Sequence, residues 1–371
     1  MNRQLDREML KDILQAEDIE SLSVLELVRL FQEEKGLVDF LPDGTYQIDP
    51  RNGDRIIFNS SRARRPHDNR PAQSSSTNSG QECVICQGRT TGVIDVADLS
   101  QGFTFINKNL FPVLYPLEIN QPDGTLDRSS QDPGPEGGSP YGFHFLQWTS
   151  SYHDKDWHNM PLSDCVVVMK RLAVLERKLL AVLPAAENWG HGFVLIIKNH
   201  GRLVGGSLSH GHQQIAFSNL MPRRIQDNWR FETERGERFS TYLLRENPSE
   251  LIIKDYGPAI LLVPYFMRRP YDMMLLLKDA SNQYLHQLTE SEIRAVADGW
   301  CDAIRGMRRV LAEVGRELAY NVITHNGPGA GLYFEFLPYT QEMGGLEHLG
   351  LYVCQQNPKM AAAHICELLS E

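Results

Sequence analysis

Six cysteines in 371 residues are too few to staple a chain of this length with a disulfide framework. No apolar run approaches the roughly 20 residues a membrane-spanning helix needs; Val166-Val167-Val168-Met169 is cut off by Lys170-Arg171. Cationic excess is missing too. The net charge is -10, which argues against broad contact with a nucleic-acid polymer, because neutralising a phosphate backbone takes clustered cations. These absences leave an expected cytoplasmic protein with reduced thiols, no membrane contact and no polymeric nucleic-acid partner. The apolar share, 42%, suffices for a sizeable core.

What is present is concentrated in a few segments. Ser207-Leu208-Ser209-His210-Gly211-His212-Gln213-Gln214 sets two imidazoles one residue apart and follows them with an amide. In an extended run His210, His212 and Gln214 share a face. One imidazole could then coordinate a metal, the other attack an electrophile, and the amide hold an oxygen on which charge builds. Two polar histidines on a solvated strand are the plain alternative. Upstream, Gly192 to Lys198 is a β-rich apolar run, Asn199-His200-Gly201 supplies a turn, and Gly205-Gly206-Ser207 removes bulk just before the histidines. Glycines there let a backbone approach a phosphate closely.

Cys83-Val84-Ile85-Cys86 could be half a zinc site, a redox pair or chance, and a tetrahedral zinc would require two more ligands. Arg62, Arg64 and Arg65 form a short basic cluster suited to one nucleotide's phosphates; a solvated basic turn is the alternative.

Residues 1 to 36 carry Leu22, Leu25, Leu27 and Leu30 at near-helical spacing and read as an N-terminal helical appendage. His67 to Gln81 and Gln121 to Ser139 are Ser-, Pro- and Gly-rich and read as mobile loops. Pro161 opens a helix to about Leu183, and Thr289-Glu290-Ser291-Glu292 is a capping box for another that runs past Leu311. The order of strands, long helix and strand-turn-strand in residues 102 to 220 returns in 258 to 339. In the second copy Leu332-Tyr333-Phe334-Glu335-Phe336 takes the place of His210 to Gln214, so that copy has no nucleophile. The expected division is a helical appendage over 1–47, a catalytic half over 48–230 and a degenerate half over 231–371.

The spacing of Asn-x-Gly, Gly-x-Ser and His-x-His-x-Gln resembles the active-site segment of the galactose-1-phosphate uridylyltransferase branch of the histidine triad superfamily. Further resemblances follow in family order. Asp49-Pro50-Arg51-Asn52-Gly53 is similar to an N-terminal strand motif, Arg62-Ala63-Arg64-Arg65-Pro66 to a phosphate-contacting element, and Asn109-Leu110-Phe111-Pro112 to a segment beside the nucleoside. The resemblance implies an α+β fold of two fused histidine-triad-like halves with antiparallel sheets and flanking helices. It implies His212 as the nucleophile that carries a nucleoside monophosphate, with Gln214 and Ser207 as catalytic partners. Arg62, Arg65, Asn109, Phe111, Asn199 and Gly205 would bind substrate. Cys83, Cys86, His153 and His210 would hold a structural zinc, His158 being the competitor for the third place.

The activity so implied is ping-pong nucleotidyl transfer from a nucleotide sugar or other nucleotide donor to a small phosphorylated or anionic acceptor. The protein is expected to be a homodimer in which the arginine element and the C-terminal segment reach the neighbouring subunit's site. Gly350 to Pro358 lacks the Tyr-Glu pair with which hexose-phosphate uridylyltransferases grip sugar, and its ending is closer to that of nucleotide-sugar phosphorylases. Phosphorolysis is therefore an alternative, and a noncatalytic nucleotide-binding scaffold is one of another class.

Overall fold

A computed structural model describes residues 3–65, 83–116, 138–181 and 192–370. The expected loop at His67 to Gln81, most of that at Gln121 to Ser139, and Pro66 lie outside the described residues. Helix α1 spans Arg7–Ile13 and α2 Val24–Gln32. A reciprocal Ser23–Glu26 capping box starts α2, satisfying backbone donors that a helix end leaves open. Its Leu27, Val28 and Phe31 are buried, and Phe31 sets its ring edge-on against Phe143 and Phe145 at 5.3 and 5.1 Å. The N-terminal segment thus contributes to the core of the first half.

Strands β1 (Thr45–Ile48) and β2 (Arg55–Phe58) form a hairpin. The main sheet has ten antiparallel strands: β3 Val93–Asp98, β4 Phe103–Lys108, β5 Gly142–Trp148, β6 Phe193–His200, β7 His212–Ser218, β8 Ile252–Asp255, β9 Ala259–Leu262, β10 Met273–Leu277, β11 Tyr320–His325 and β12 Tyr333–Pro338. Their order is β3-β4-β5-β7-β6-β11-β12-β10-β9-β8, which reads as one five-strand pattern repeated about the β6–β11 seam. At the seam Ile197 pairs with Ile323. Ile197 also faces Gln214 across β7, and Ile323 faces Glu335 across β12. Glu335 is therefore the internal counterpart of Gln214 and Tyr333 that of His212. Directly paired residues project from the same face, so both strands present these side chains on one side of the sheet.

Helix α3 (Leu162–Leu180) follows β5 at Pro161, and α6 (Glu290–Glu313) starts at the Thr289–Glu292 capping box. The two long helices pack on each other and against the strands of their own halves. Trp300 on α6 meets Trp157, in the turn before α3, at 4.9 Å. Helices α4 (Arg223–Arg235) and α5 (Phe239–Glu246) connect the halves, and α7 (Gly345–His348) and α8 (Pro358–Ser370) end the described chain. No described helix is long and apolar enough to cross a membrane.

Candidate active site

The strand that carries the site begins at His212, two residues later than an extended reading of the whole His-Gly-His run would have it. His210 lies in the bend before it, so its ring does not share the face of His212 and Gln214. Glycine makes the bend possible. A Cβ at Gly211 would fall 2.7 Å from Asp156 Cγ, and one at Gly206 would fall 2.8 Å from the backbone of Gly201. Gly205 has φ +84°, a conformation that side chains disfavour. At Gly206 and Gly211 the absence of a side chain therefore serves the packing of the loop onto the protein itself.

His212 is buried, 5% exposed. Its Nδ1 lies 2.8 Å from the carbonyl oxygen of His210. A carbonyl can only accept, so Nδ1 carries the proton and Nε2 keeps a lone pair. Burial, only partly offset by that hydrogen bond, pulls the imidazole's pKa down to about 4, which leaves it neutral at physiological pH. The Trp148 ring packs against it at 4.8 Å. Beneath it Lys198 donates to the His212 carbonyl oxygen at 3.1 Å and to Asp156 at 2.8 and 3.0 Å. Burial alone would raise the Asp156 carboxyl, but Lys198 holds it well below the usual carboxylate range.

Gln214 is oriented by a second buried histidine. The backbone N–H of Val113 donates to His144 Nδ1 at 3.1 Å, so the neutral ring carries its proton on Nε2. That atom lies 3.2 Å from Gln214 Oε1. Burial keeps His144 neutral, with a pKa lowered to about 3. The Gln214 carbonyl is thereby engaged and its amide N–H groups are left for a ligand.

A pocket opens over these side chains, lined among others by Arg65, Asn109, Phe111, Ser207, His212 and Gln214. Six of the predicted site residues are thus brought together. Asn109 Oδ1 accepts from the backbone N–H of Phe111 at 2.9 Å, which fixes the segment, and Phe111 also packs on Phe40 at 4.4 Å. Arg65 donates to the carbonyl oxygen of Gly205 at 3.3 Å, leaving Gly205 beside the pocket as a backbone anchor. Two predicted residues stand apart. Arg62 is turned to the Phe111 carbonyl oxygen at 2.6 Å, with its pKa lowered to about 10 by burial. Asn199 accepts from Asn321 Nδ2 at 2.7 Å, across the seam between the halves; neither lines the pocket. Of the basic element, Arg65 lines the pocket, and Arg62 braces the Phe111 segment that also lines it.

Cys83, Cys86, His153 and His210 form the one cluster among the described residues whose sulfur and nitrogen donors converge, all within 4.8 Å of one another. His158 is not part of it. Thiol sulfurs and imidazole Nδ1 atoms are 3.7 Å apart for Cys83–His210 and Cys86–His210 and 3.8 Å for Cys86–His153. A tetrahedral zinc with ordinary bond lengths sets such an edge at about 3.6 Å, so this donor set fits zinc. His210 Nε2 donates to the Ser150 carbonyl oxygen at 2.8 Å, leaving Nδ1 free to ligate, the usual outer support of a metal-binding histidine. The Cys83 thiol is held well below its ordinary range, chiefly by hydrogen bonding from Cys86.

Sequence reading missed His144, Lys198, Asp156 and Trp148. His144 alternates with Phe143 and Phe145 in a strand, which marks it as facing away from the apolar side. Nothing local says that it faces Gln214.

The fold consists of two repeated halves, of which the first keeps a His-x-His-x-Gln segment and the second does not. No protein-family model matches the chain. The chain is similar to ADP-glucose phosphorylase of Arabidopsis thaliana, 22% identical over 307 residues, spanning 79% of this chain and 80% of that protein. Its fold is similar to that of a uridylyltransferase, with TM-score 0.65 at 19% identity over 88% of this chain and 98% of the other. It is also similar to the Arabidopsis ADP-glucose phosphorylase structure with bound ADP-glucose, with TM-score 0.60 at 16% identity over 87% and 98%. The architecture agrees with the fold that the motif resemblance implies: it is an α+β fold similar to that of the solved uridylyltransferase and ADP-glucose phosphorylase.

Proposed function

We propose that the protein is a nucleotidyltransferase that moves a nucleoside monophosphate from a nucleotide sugar to a phosphate-bearing acceptor through an adduct on His212. The observation that carries this reading is the state of His212: neutral, with Nδ1–H engaged by the His210 carbonyl and Nε2 left with its lone pair beside the pocket. His212 Nε2 attacks the α-phosphorus, the bond to the bridging oxygen breaks, and the sugar phosphate leaves with that electron pair. A phosphate oxygen of the acceptor then attacks the same phosphorus and His212 departs as neutral imidazole. Gln214, with its carbonyl engaged by His144, turns its amide toward a nonbridging α-oxygen, and Arg65 and Ser207 hold phosphates, so positioning and electrostatics supply most of the acceleration. Zinc held by Cys83, Cys86, His153 and His210 would tie the segment before His212 to the Cys-x-x-Cys turn.

Phosphorolysis, with inorganic phosphate as acceptor, is favoured over transfer to galactose 1-phosphate by two observations. The curated relative is named for phosphorolysis, and the C-terminal segment offers Leu351-Tyr352 where a hexose-gripping pair would stand. The test is intact-mass spectrometry of the protein after incubation with a panel of nucleotide sugars, ADP-glucose and UDP-galactose included. One nucleoside monophosphate, acid-labile and mapped to His212, is expected, and none on His212→Ala. An adduct that survives in that variant or maps to His200 overturns the assignment; an adduct discharged faster by galactose 1-phosphate than by phosphate overturns the choice of acceptor.

A further inference from the structure

The degenerate half contains an open cavity at the place the internal repeat makes equivalent to the nucleotide pocket. It is lined by Arg224, Arg268, Arg269, Asp272, Glu335 and Tyr352, among others. Glu335 stands where Gln214 stands in the first half, and Asp272 precedes the residue paired with Glu335 by two positions, as His144 precedes the residue paired with Gln214.

We infer that this cavity is a binding site for a small hydroxylated phosphate ester, with the guanidinium groups taking the phosphate and Asp272 a hydroxyl. Three cations line it against two acids. Glu335 is already engaged by His325 Nε2 at 2.7 Å, and neither Arg224 nor Arg268 forms an ion pair among the described residues, where Arg269 and Asp272 are the nearest such pair. Arg268 lies over the exposed ring of Tyr352 at 5.1 Å, which fixes its guanidinium at the mouth without neutralising it. Asp272 is 6% exposed, and its Oδ1 has no hydrogen-bond partner; Arg269 Nε is 3.7 Å away, beyond bonding range. A buried acceptor left without a donor is costly, and a ligand hydroxyl supplies one. Burial, opposed mainly by Arg269, raises the Asp272 pKa to about 7, which lowers its repulsion of an anion. The site binds without turnover. The counterpart of His212 is Tyr333, whose hydroxyl is committed to Asn228 Oδ1 at 3.0 Å.

Isothermal titration of the full chain with glucose 1-phosphate and, separately, inorganic phosphate at low salt tests this. Arg224→Gln with Arg268→Gln, both away from the core, should weaken one class of sites tenfold or more for both probes. Arg65→Ala, in the other pocket, should leave that class intact, and Asp272→Asn should weaken glucose 1-phosphate selectively. Binding that is unchanged in the double arginine variant, that disappears wholly in Arg65→Ala, or that is absent at millimolar probe overturns the site. Equal loss of both probes in Asp272→Asn overturns the hydroxyl contact.

Discussion

Lys198→Met isolates the contribution of the ion pair beneath the nucleophile. Lys198 is 1% exposed and Asp156 6%, and among the described residues the ammonium is the only cation paired with the carboxylate, at 2.8 Å. Substitution removes that charge and leaves Asp156 with two remaining donors, the Thr149 hydroxyl at 3.0 Å and the Trp157 N–H at 2.9 Å. Stranding one member of a buried pair typically costs about 3–5 kcal/mol, and two surviving neutral hydrogen bonds recover only part of that. Urea unfolding at pH 7.5 should show the loss as a lower midpoint. In the native protein the Asp156 pKa is depressed, so its contribution to stability is present above the unfolded value and is lost as pH falls through the depressed one. Without Lys198, burial raises that pKa above the unfolded value and the sign reverses. The variant should therefore be less destabilised at pH 5 than at pH 8. Adding Asp156→Asn to Lys198→Met should restore much of the stability, because no charge then remains buried. A loss below about 1 kcal/mol, the size of an exposed pair, or a double variant no more stable than the single one, would refute the reasoning.

His144→Phe keeps a planar ring, slightly larger than imidazole, but removes the N–H that engages Gln214 Oε1. Adduct formation on His212 should slow by roughly 10- to 100-fold, about 1.4–2.7 kcal/mol in the barrier, while bound metal is unchanged; a rate equal to wild type shows that Gln214 is oriented by something else. Cys83→Ser should lower zinc, measured by plasma mass spectrometry from about one per chain, and lower the melting temperature in step. Full zinc in the variant, or a Cys83–Cys86 disulfide in freshly purified protein, counts against the metal centre.

The chemistry-bearing segments were legible because each is local. Spacing alone marks His212, Gln214 and the Cys-x-x-Cys pair, and the capping box marks the start of α6. What failed to show was set by register. His144 meets Gln214 only because β5 and β7 pair with Leu146 opposite Gln214, and Lys198 reaches Asp156 across 42 positions of chain. The common face expected for His210 was lost to a bend that Gly211 permits by fitting against Asp156. Asn199, read as a substrate-binding residue, is instead bonded to its cross-strand partner Asn321, a contact visible only once the second half has folded back beside the first.

The β6–β11 seam bears on what the chain can afford to lose. A half without a nucleophile looks dispensable, yet β11 supplies the hydrogen bonds that the outer side of β6 would otherwise lack. Excising residues beyond α5 would convert an interior strand, adjacent to the one that carries His212, into an open edge, the kind of surface that recruits foreign strands. Retention of the second half therefore needs no catalytic explanation. It shields the strand next to the reaction from aggregation, and its own cavity is free to diverge while that service continues.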